Sequence, residues 1–374
     1  MEIQVEVYLP EDVLIQILSR LPVKSLMRFR TVCKSWNSLV KSSAFVSKHL
    51  ENHTNSSTVK NISRLLVCHR DNPTNKRKIS LFTNDNLKEF VSQELSPFFD
   101  NKFGHIRLIG PCNGIVCLYG FTDNIALWNP SIGEFKTLPV SPIPRPPDAR
   151  ILGGDLAFGF DSKTNHYKVM QILFCSSNKF GAAYHVEIYN LTTDSWREYG
   201  GIVPANIMYV NIWSMLYRTE TFCWWAKDGD HEIILSFDMA NEEFKRSPLP
   251  SDIEDLGGAH RITRAIVPMN ESIALIVYPQ KQVEKFFDLW VMKELGVEES
   301  WTRLSTIGPL SGIERPLGFW NKGEFILENS FGELVLYDHC IQQIKNLGLQ
   351  GKRDRLEVVV YMESLVALNS GSES

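Results

Sequence analysis

One pattern recurs along most of this chain: an apolar strand ending in an aromatic residue, a polar turn, then a second aromatic or apolar position. It occurs in IALWNPSIGEFKTLP, VEIYNLTTDSWREY, IILSFDMANEEFKRSPLP, FDLWVMKELGVEESWTRL and LVLYDHCIQQIKNL. Their first aromatics, Trp128, Tyr189, Phe237, Trp290 and Tyr337, are 61, 48, 53 and 47 residues apart. Short β-branched and aromatic runs separated by Gly, Asn, Asp and Ser are hairpins, so each copy contributes two visible strands. A period near 50 leaves room for two more strands per copy, which is the size of a propeller blade. Roughly 300 residues at about 50 per blade predict an all-β domain of about six blades. A two-sheet β-sandwich is the alternative.

The start of the chain has a different period. In LPEDVLIQILSRLPVKSLMRFRTVCKSW, Leu9-Pro10-Glu11-Asp12 reads as a helix start, with proline where its missing N–H costs nothing and acids at the positive end of the dipole. Val13, Leu14, Ile17, Leu18 and Leu21 form an apolar stripe at helical spacing, which Pro22 stops. A second helix is predicted to carry Leu26, Phe29, Val32, Trp36 and Leu39, and Ser42-Ser43 to break it before a short turn with Phe45, Val46 and Leu50. About 45 residues cannot bury such faces alone. The predicted organisation is a helical unit over 1–50, a polar linker over 51–63, the β-domain over 64–365 and a flexible tail over 366–374.

Charge excludes some roles. The formal net charge of -4 gives no support to general nucleic-acid or membrane-surface binding. Its distribution is uneven, because the first 50 residues hold seven Lys and Arg against four Asp and Glu. No secretory leader pattern and no run long enough to span a bilayer is read, so a cytosolic location is expected. The seven cysteines are scattered without paired spacing, as suits buried thiols in a reducing compartment.

The N-terminal stretch resembles the F-box, on Leu9-Pro10-Glu11, Ile17-Leu18-Ser19-Arg20-Leu21-Pro22, Ser25-Leu26, Arg28-Phe29, Val32-Cys33-Lys34-Ser35-Trp36 and Phe45-Val46. The resemblance implies docking to a Skp-type adaptor, and through it to the cullin and RING subunits of an SCF ubiquitin ligase. Carried over by position, Leu9, Pro10, Val13, Ile17, Leu18, Leu21, Pro22 and Leu26 are expected to face the adaptor, while Phe29 and Trp36 hold the small helices together. Beyond it, PCNGIVCL, LWNPSIGEFKTLP, AFGFDSKTNHYKV, VEIYNLTTDSWREY and LWVMKELGVEESWTRL resemble the blocks of plant F-box-associated, kelch-like domains. SWTRLSTIGPLSGIERPLGFW and VVVYMESLVALN are most similar to the S-locus F-box proteins of flowering plants. That similarity implies recognition of pistil ribonucleases (S-RNases) in pollen self-incompatibility, within the pollen tube cytosol.

On this reading the target is a basic folded protein, met by acidic positions of the β-domain: Asp228, Asp230 and Glu232; Glu242 and Glu243; Asp252, Glu254 and Asp255; Glu298 and Glu299. Other chemistry is weighed against it. Cys112-x4-Cys117 lacks a second pair and brackets Asn113-Gly114, a hairpin turn, so no metal is expected. His49 and His53 have helical ligand spacing but are read as a solvated pair. Asp155, Asp161, His166 and Glu187 would matter if a channel gathered them; Asp161 is better read as a turn former. NKRK at Asn75 is read as a basic hairpin tip, and one of Trp224 and Trp225 as blade core. Two classes of function remain: a non-catalytic substrate receptor without cofactor, for an S-RNase or for a target in hormone, defence or developmental signalling, and a propeller enzyme carrying an adaptor-binding element.

Overall fold

The computed structural model describes residues 10–54, 63–71, 74–82, 89–94, 106–120, 124–145, 148–179, 181–207, 214–217, 220–254, 262–269, 272–320 and 323–368. Four helices come first: α1 (Glu11–Leu18), α2 (Val23–Phe29), α3 (Lys34–Lys41) and α4 (Ser43–Thr54). Pro10 and Pro22 stand extended just ahead of α1 and α2, where no intrahelical donor is needed. The second helix expected from Leu26 to Leu39 is in fact two. The Thr31 hydroxyl donates to the Arg28 carbonyl at 2.7 Å and closes α2, and Cys33 is extended (φ -156°, ψ 163°) where α3 starts. Phe29 then meets Trp36 edge to face at 5.5 Å across the break. Residues 51–54, placed in the linker by sequence, are the last turn of α4, tied back by Asn52 Nδ2 donating to Ser19 Oγ at 2.8 Å.

Six antiparallel sheets follow. Blade 1 holds β1 (Ser63–Arg70), β2 (Arg77–Phe82) and β3 (Glu89–Glu94); blade 2 holds β4 (Arg107–Cys112), β5 (Ile115–Tyr119), β6 (Ile125–Asn129) and β7 (Glu134–Thr137). Blade 3 holds β8 (Arg150–Asp161), β9 (His166–Ser177), β10 (Gly181–Asn190) and β11 (Ser195–Glu198). In blade 4, β12 (Asn206–Ile207) and β13 (Ser214–Tyr217) share the inner edge of β14 (Thr221–Asp228), followed by β15 (His231–Asp238) and β16 (Glu243–Pro248). After α5 (Ser251–Glu254), blade 5 holds β17 (Ile262–Met269), β18 (Ser272–Pro279), β19 (Glu284–Met292) and β20 (Trp301–Ser311). Blade 6 holds β21 (Ile313–Trp320), β22 (Glu324–Asn329), β23 (Glu333–Asp338) and β24 (Gln343–Gln350). The chain then returns as β25 (Glu357–Met362) to pair with β1 from Ser63↔Met362 to Cys68↔Glu357, so blade 1 joins both ends of the domain. The domain is a six-blade β-propeller, which leaves only the inner and outer strand edges of each blade.

The five sequence repeats are the outer hairpins of blades 2 to 6; in three of them the paired aromatics face each other across strands, Trp128↔Phe135, Tyr189↔Trp196 and Phe237↔Phe244, while Trp290 faces Arg303 and Tyr337 faces Ile344. The sixth outer hairpin, which the repeat did not include, is β2–β3 in blade 1, where Phe82 opposes Glu89. The core is distributed. Apolar clusters lie between neighbouring blades, for example Leu66, Val116, Leu118 and Ala126 between blades 1 and 2, and Leu65, Leu336, Leu347 and Leu356 between blades 6 and 1. Each sheet is covered on both faces, which is why the inner strands read as unbroken apolar runs such as IVCLY. Trp224 and Trp225 are both buried for the same reason, on opposite faces of blade 4.

Alternation of strand direction sorts the loops. Turns joining first to second and third to fourth strands emerge at one end of the ring, together with Ser63 and Met362; the remaining turns and the crossovers between blades emerge at the other. The helices sit at the first end, here the near end. Val46 and Leu50 of α4 pack on the cluster shared by blades 2, 3 and 4, and Ile132 of the β6–β7 turn packs on the helical core. Residues 363–368 run between them: Leu365 enters the helical core, and Val366 and Leu368 enter the propeller core. The expected flexible tail is therefore ordered through Leu368, because its apolar side chains have a place to go.

Candidate interaction surfaces

At the near end, α1 divides its apolar residues into two rows. Leu14 and Leu18 turn inward with Leu21, and Leu18, Val23, Leu26, Val40, Phe45 and Leu365 form the helical core. Leu18 and Leu26, expected on the docking face, are only 2% and 0% exposed and belong to that core. The helices are not the half-empty unit their length suggested, since Leu365 fills them from more than three hundred residues away. Val13 and Ile17, one turn apart, remain outside at 38% and 49% exposure, flanked by exposed Pro10 and Pro22. Leu21 is partly buried, and Leu9 lies outside the described residues. Val32, at 64% exposure in the break between α2 and α3, was assigned to a helix stripe by its spacing and not to this surface. A cleft of about 610 Å³ separates α2 from blades 1 and 2, between Met27 and Arg28 on one side and Trp128 and Tyr361 on the other.

His49 and His53 are buried, contrary to the solvated pair expected. Their Nε2 atoms lie 2.8 Å apart, and His49 Nε2 lies 3.1 Å from the Leu21 carbonyl, so the pair fastens α4 to the loop between α1 and α2. Burial first, and then the neighbouring His53, lowers the His49 imidazole to about 4. His53 is lowered too, again mainly by burial.

The acidic positions do not form one surface. Asp228, Asp230 and Glu232 lie on the β14–β15 turn at the far end, where Asp252 on α5 is also exposed and Glu254 ends that helix. Glu242 and Glu243 follow β15 at the near end, and Glu298 and Glu299 are exposed in the 3-10 turn before β20, between a third and a fourth strand. Asp255 lies outside the described residues. Several already hold cations of the chain: Asp228 with Arg246 at 2.7 Å, Glu232 with Arg264 at 2.7 Å, and Glu242 with Lys168 at 2.7 Å and with Arg197. Sequence proximity marked acidic loops but could not show which end of the ring they reach, nor which cations sit opposite.

The remaining candidates are structural. Cys112 and Cys117 are buried in β4 and β5, where burial pushes both thiols up, and Asn113 and Gly114 (φ 49° and 78°) make the turn expected between them. Asp161 accepts the Lys163 and Thr164 N–H groups and pairs with Lys168 at 2.6 Å, a turn former as expected. Asp155 pairs with Arg107 at 2.7 Å, Glu187 lies 2.7 Å from His185, and His166 lies 2.9 Å from Asn190, so no channel gathers these four. Among the described residues, ligand atoms of three residues converge within 4.8 Å at Asp338, His339 and Cys340. They are consecutive residues of one hairpin turn, with Asp338 Oδ1 accepting the Cys340 N–H at 2.8 Å. No helix among the described residues is long and apolar enough to cross a membrane.

Comparison with known proteins agrees with this architecture. The chain is 27% identical to the F-box protein At3g07870 of Arabidopsis thaliana over 96% of this chain and 91% of the relative. It is 28% identical to the F-box/kelch-repeat protein At3g23880 of the same plant, over 96% of each. A solved oligogalacturonate lyase in complex with manganese matches with a TM-score of 0.40 and 9% identity over 75% of this chain and 77% of the other, too distant to bear on function. Residues 8–57 match the F-box domain, and residues 65–367 match the F-box associated beta propeller domain. The chain belongs to the family of F-box proteins with an F-box associated beta propeller domain.

Proposed function

We propose that this chain is the substrate-recognition subunit of an SCF ubiquitin ligase, in which the α1 surface binds a Skp-type adaptor and the propeller holds the target. The observation that carries this reading is the outward row of Val13 and Ile17 on a helical unit of the F-box family. Apolar side chains one turn apart, on a unit whose own core is already full, favour a partner's apolar groove. The chain itself is non-catalytic on this reading; cullin and RING subunits join through the adaptor, and the assembly works in the cytosol.

The target we propose is an S-RNase of the pistil. Its support is the likeness of residues 300–320 and 358–369 to S-locus F-box blocks and the acid excess of the residues after the F-box. Of the acidic positions, Asp228, Asp230, Glu232 and Asp252 suit a target best, since they share the far end, away from the adaptor surface.

Replacing Val13 and Ile17 together by aspartate abolishes co-purification of adaptor and cullin while the propeller still melts cooperatively; undiminished co-purification would sink the F-box role. Association with a panel of pistil ribonucleases is then measured at low and high salt. Lysine replacements at Asp228, Asp230 and Glu232 slow association and flatten its salt dependence. Capture of another protein with no ribonuclease bound removes the S-RNase and leaves a general receptor.

A further inference from the structure

Two basic segments that lie far apart in sequence meet at the far end of blade 1. The β1–β2 turn brings Arg70, Lys76, Arg77 and Lys78, and the crossover into β25 brings Lys352, Arg353 and Arg355. Their backbones are bonded, with the Lys352 N–H donating to the Arg70 carbonyl at 3.1 Å. Between them opens a pocket of about 380 Å³ whose walls are Arg70, Arg77, Lys352 and Arg355 and whose floor includes Cys68 and Ile106. Four acids lie nearby: Asp71 holds Lys78 at 3.3 Å, Glu314 holds Arg353, Asp354 lies 3.9 Å from Arg315, and Glu357 accepts the Leu108 N–H at 2.6 Å and also faces Arg77, so cations outnumber acids seven to four.

This concentration of like charge occurs on a chain whose net charge is -4, and strands and crossovers close the ring without needing it. Arg77 registers the crowding: burial lowers its affinity for the proton first, and the positive charges of Arg70 and Arg355 lower it further, against the opposing pull of Cys68 and Glu357. An anion seated among the four cations would relieve that repulsion. One carboxylate would leave most of the charge uncompensated, whereas adjacent phosphoryl groups match both the charge and the forked geometry of arginine. The volume is at the small end of ligand sites, suited to a compact phosphorylated group.

We propose that this pocket binds a phosphoryl-bearing anion, gripped by Arg70 and Arg77 from blade 1 and by Lys352 and Arg355 from the closing crossover. The group could arrive on a small metabolite or on a phosphorylated side chain, and the test separates these sources. Calorimetry on the full chain uses inorganic pyrophosphate and a phosphoserine peptide with its unphosphorylated form, each at low and high salt. Pyrophosphate binds, more weakly as salt rises, and Arg77→Gln weakens it about tenfold, the loss of one charge-assisted contact. Lys352→Gln with Arg355→Gln does at least as much; both residues are exposed, so this variant folds even if Arg77→Gln does not. Lys281→Gln, an exposed cation at the same end, leaves binding unchanged. Tighter binding of the phosphopeptide assigns the group to a protein, and tighter binding of pyrophosphate to a small molecule. No binding of either phosphorylated probe, equal loss in Lys281→Gln, or full binding by the Lys352→Gln, Arg355→Gln variant overturns the proposal. None of these outcomes depends on adaptor binding or on the target's identity.

Discussion

Asn129 shows how one side chain serves two levels of structure. Its Oδ1 accepts the Ser131 N–H at 3.0 Å and sets the β6–β7 turn, a device repeated by Asn190, Asp238 and Asp338 at the same place in blades 3, 4 and 6. Four residues further on, each turn needs a left-handed residue: Gly133, Asp194, Glu242 and Gln342 have φ of 73°, 50°, 56° and 53°. In blade 2 the amide has another task, since Asn129 Nδ2 donates to the carbonyls of Ser364 and Val366 at 3.1 and 2.8 Å and clasps the C-terminal segment. Asn129→Ala is therefore expected to cost about 3 kcal/mol, because two buried carbonyls and an N–H lose their partner. Asp238→Ala, which removes only the turn bonds at a more open site, should cost about 1 kcal/mol. Urea unfolding of the two variants decides; equal losses would refute the clasp. Gln342→Gly should stabilise by about 0.5 kcal/mol, since glycine adopts that φ without strain. A lower midpoint for the glycine variant would show that the Gln342 side chain contributes more than its backbone strain costs. Gly114 is fixed for a different reason: at φ 78° a Cβ there would stand 2.5 Å from Ser364 Cβ.

Among the elements, two carry opposite pH dependences: α4 through His49, and β25 through Glu357, whose carboxyl burial pushes up to about 7 so that its contribution is lost as pH rises. Unfolded histidine takes up its proton near 6.5, whereas His49 in the fold does so near 4, so between those values the unfolded chain binds more protons. The His49 contribution to stability is thus intact above about pH 6.5, falls as pH drops toward 4 and then levels, with a span of about 3 kcal/mol. His49→Gln should flatten the profile of helix unfolding between these limits. A His49→Gln profile no flatter than the wild type's would show that His49 takes up its proton as readily in the fold as in the unfolded chain. The element-level errors of the sequence reading have physical causes. Residues 26–39 keep helical apolar spacing across a break where the Thr31 and Val32 N–H groups turn back to Arg28 and Phe29 and Cys33 is extended, and periodicity cannot register that. Residues 51–54 lack apolar periodicity yet are helical, because Asn52 bonds Ser19 at the end of α1 and His53 bonds His49, which in turn meets the Leu21 carbonyl. The outer hairpins of blades 2, 3 and 4 were legible because aromatic pairs must face each other at a fixed distance from a tight turn.

For the whole molecule, the joints matter more than the parts. β25 closes the ring on β1, and the six residues after it couple that closure to the helices. Leu365→Ala is expected to cost about 2 to 3 kcal/mol, for it opens a cavity in the helical core that no neighbour can fill. Limited proteolysis should then cut first within residues 11–54 and leave the propeller intact; simultaneous loss of both would mean that helices and propeller unfold as one unit. The sequence by itself determined the fold class, the repeat, the hairpin turns and the helical unit ahead of them. Each of these follows from short-range spacing, which backbone geometry enforces within ten to twenty residues. Tertiary structure alone decided the rest: that Leu18 and Leu26 are core while Val13 and Ile17 face out, that acidic loops divide between two ends, and that two basic turns share a pocket. The physical reason is closure, because a ring joined by its last strand brings together residues hundreds of positions apart, and no local pattern records which of them will meet.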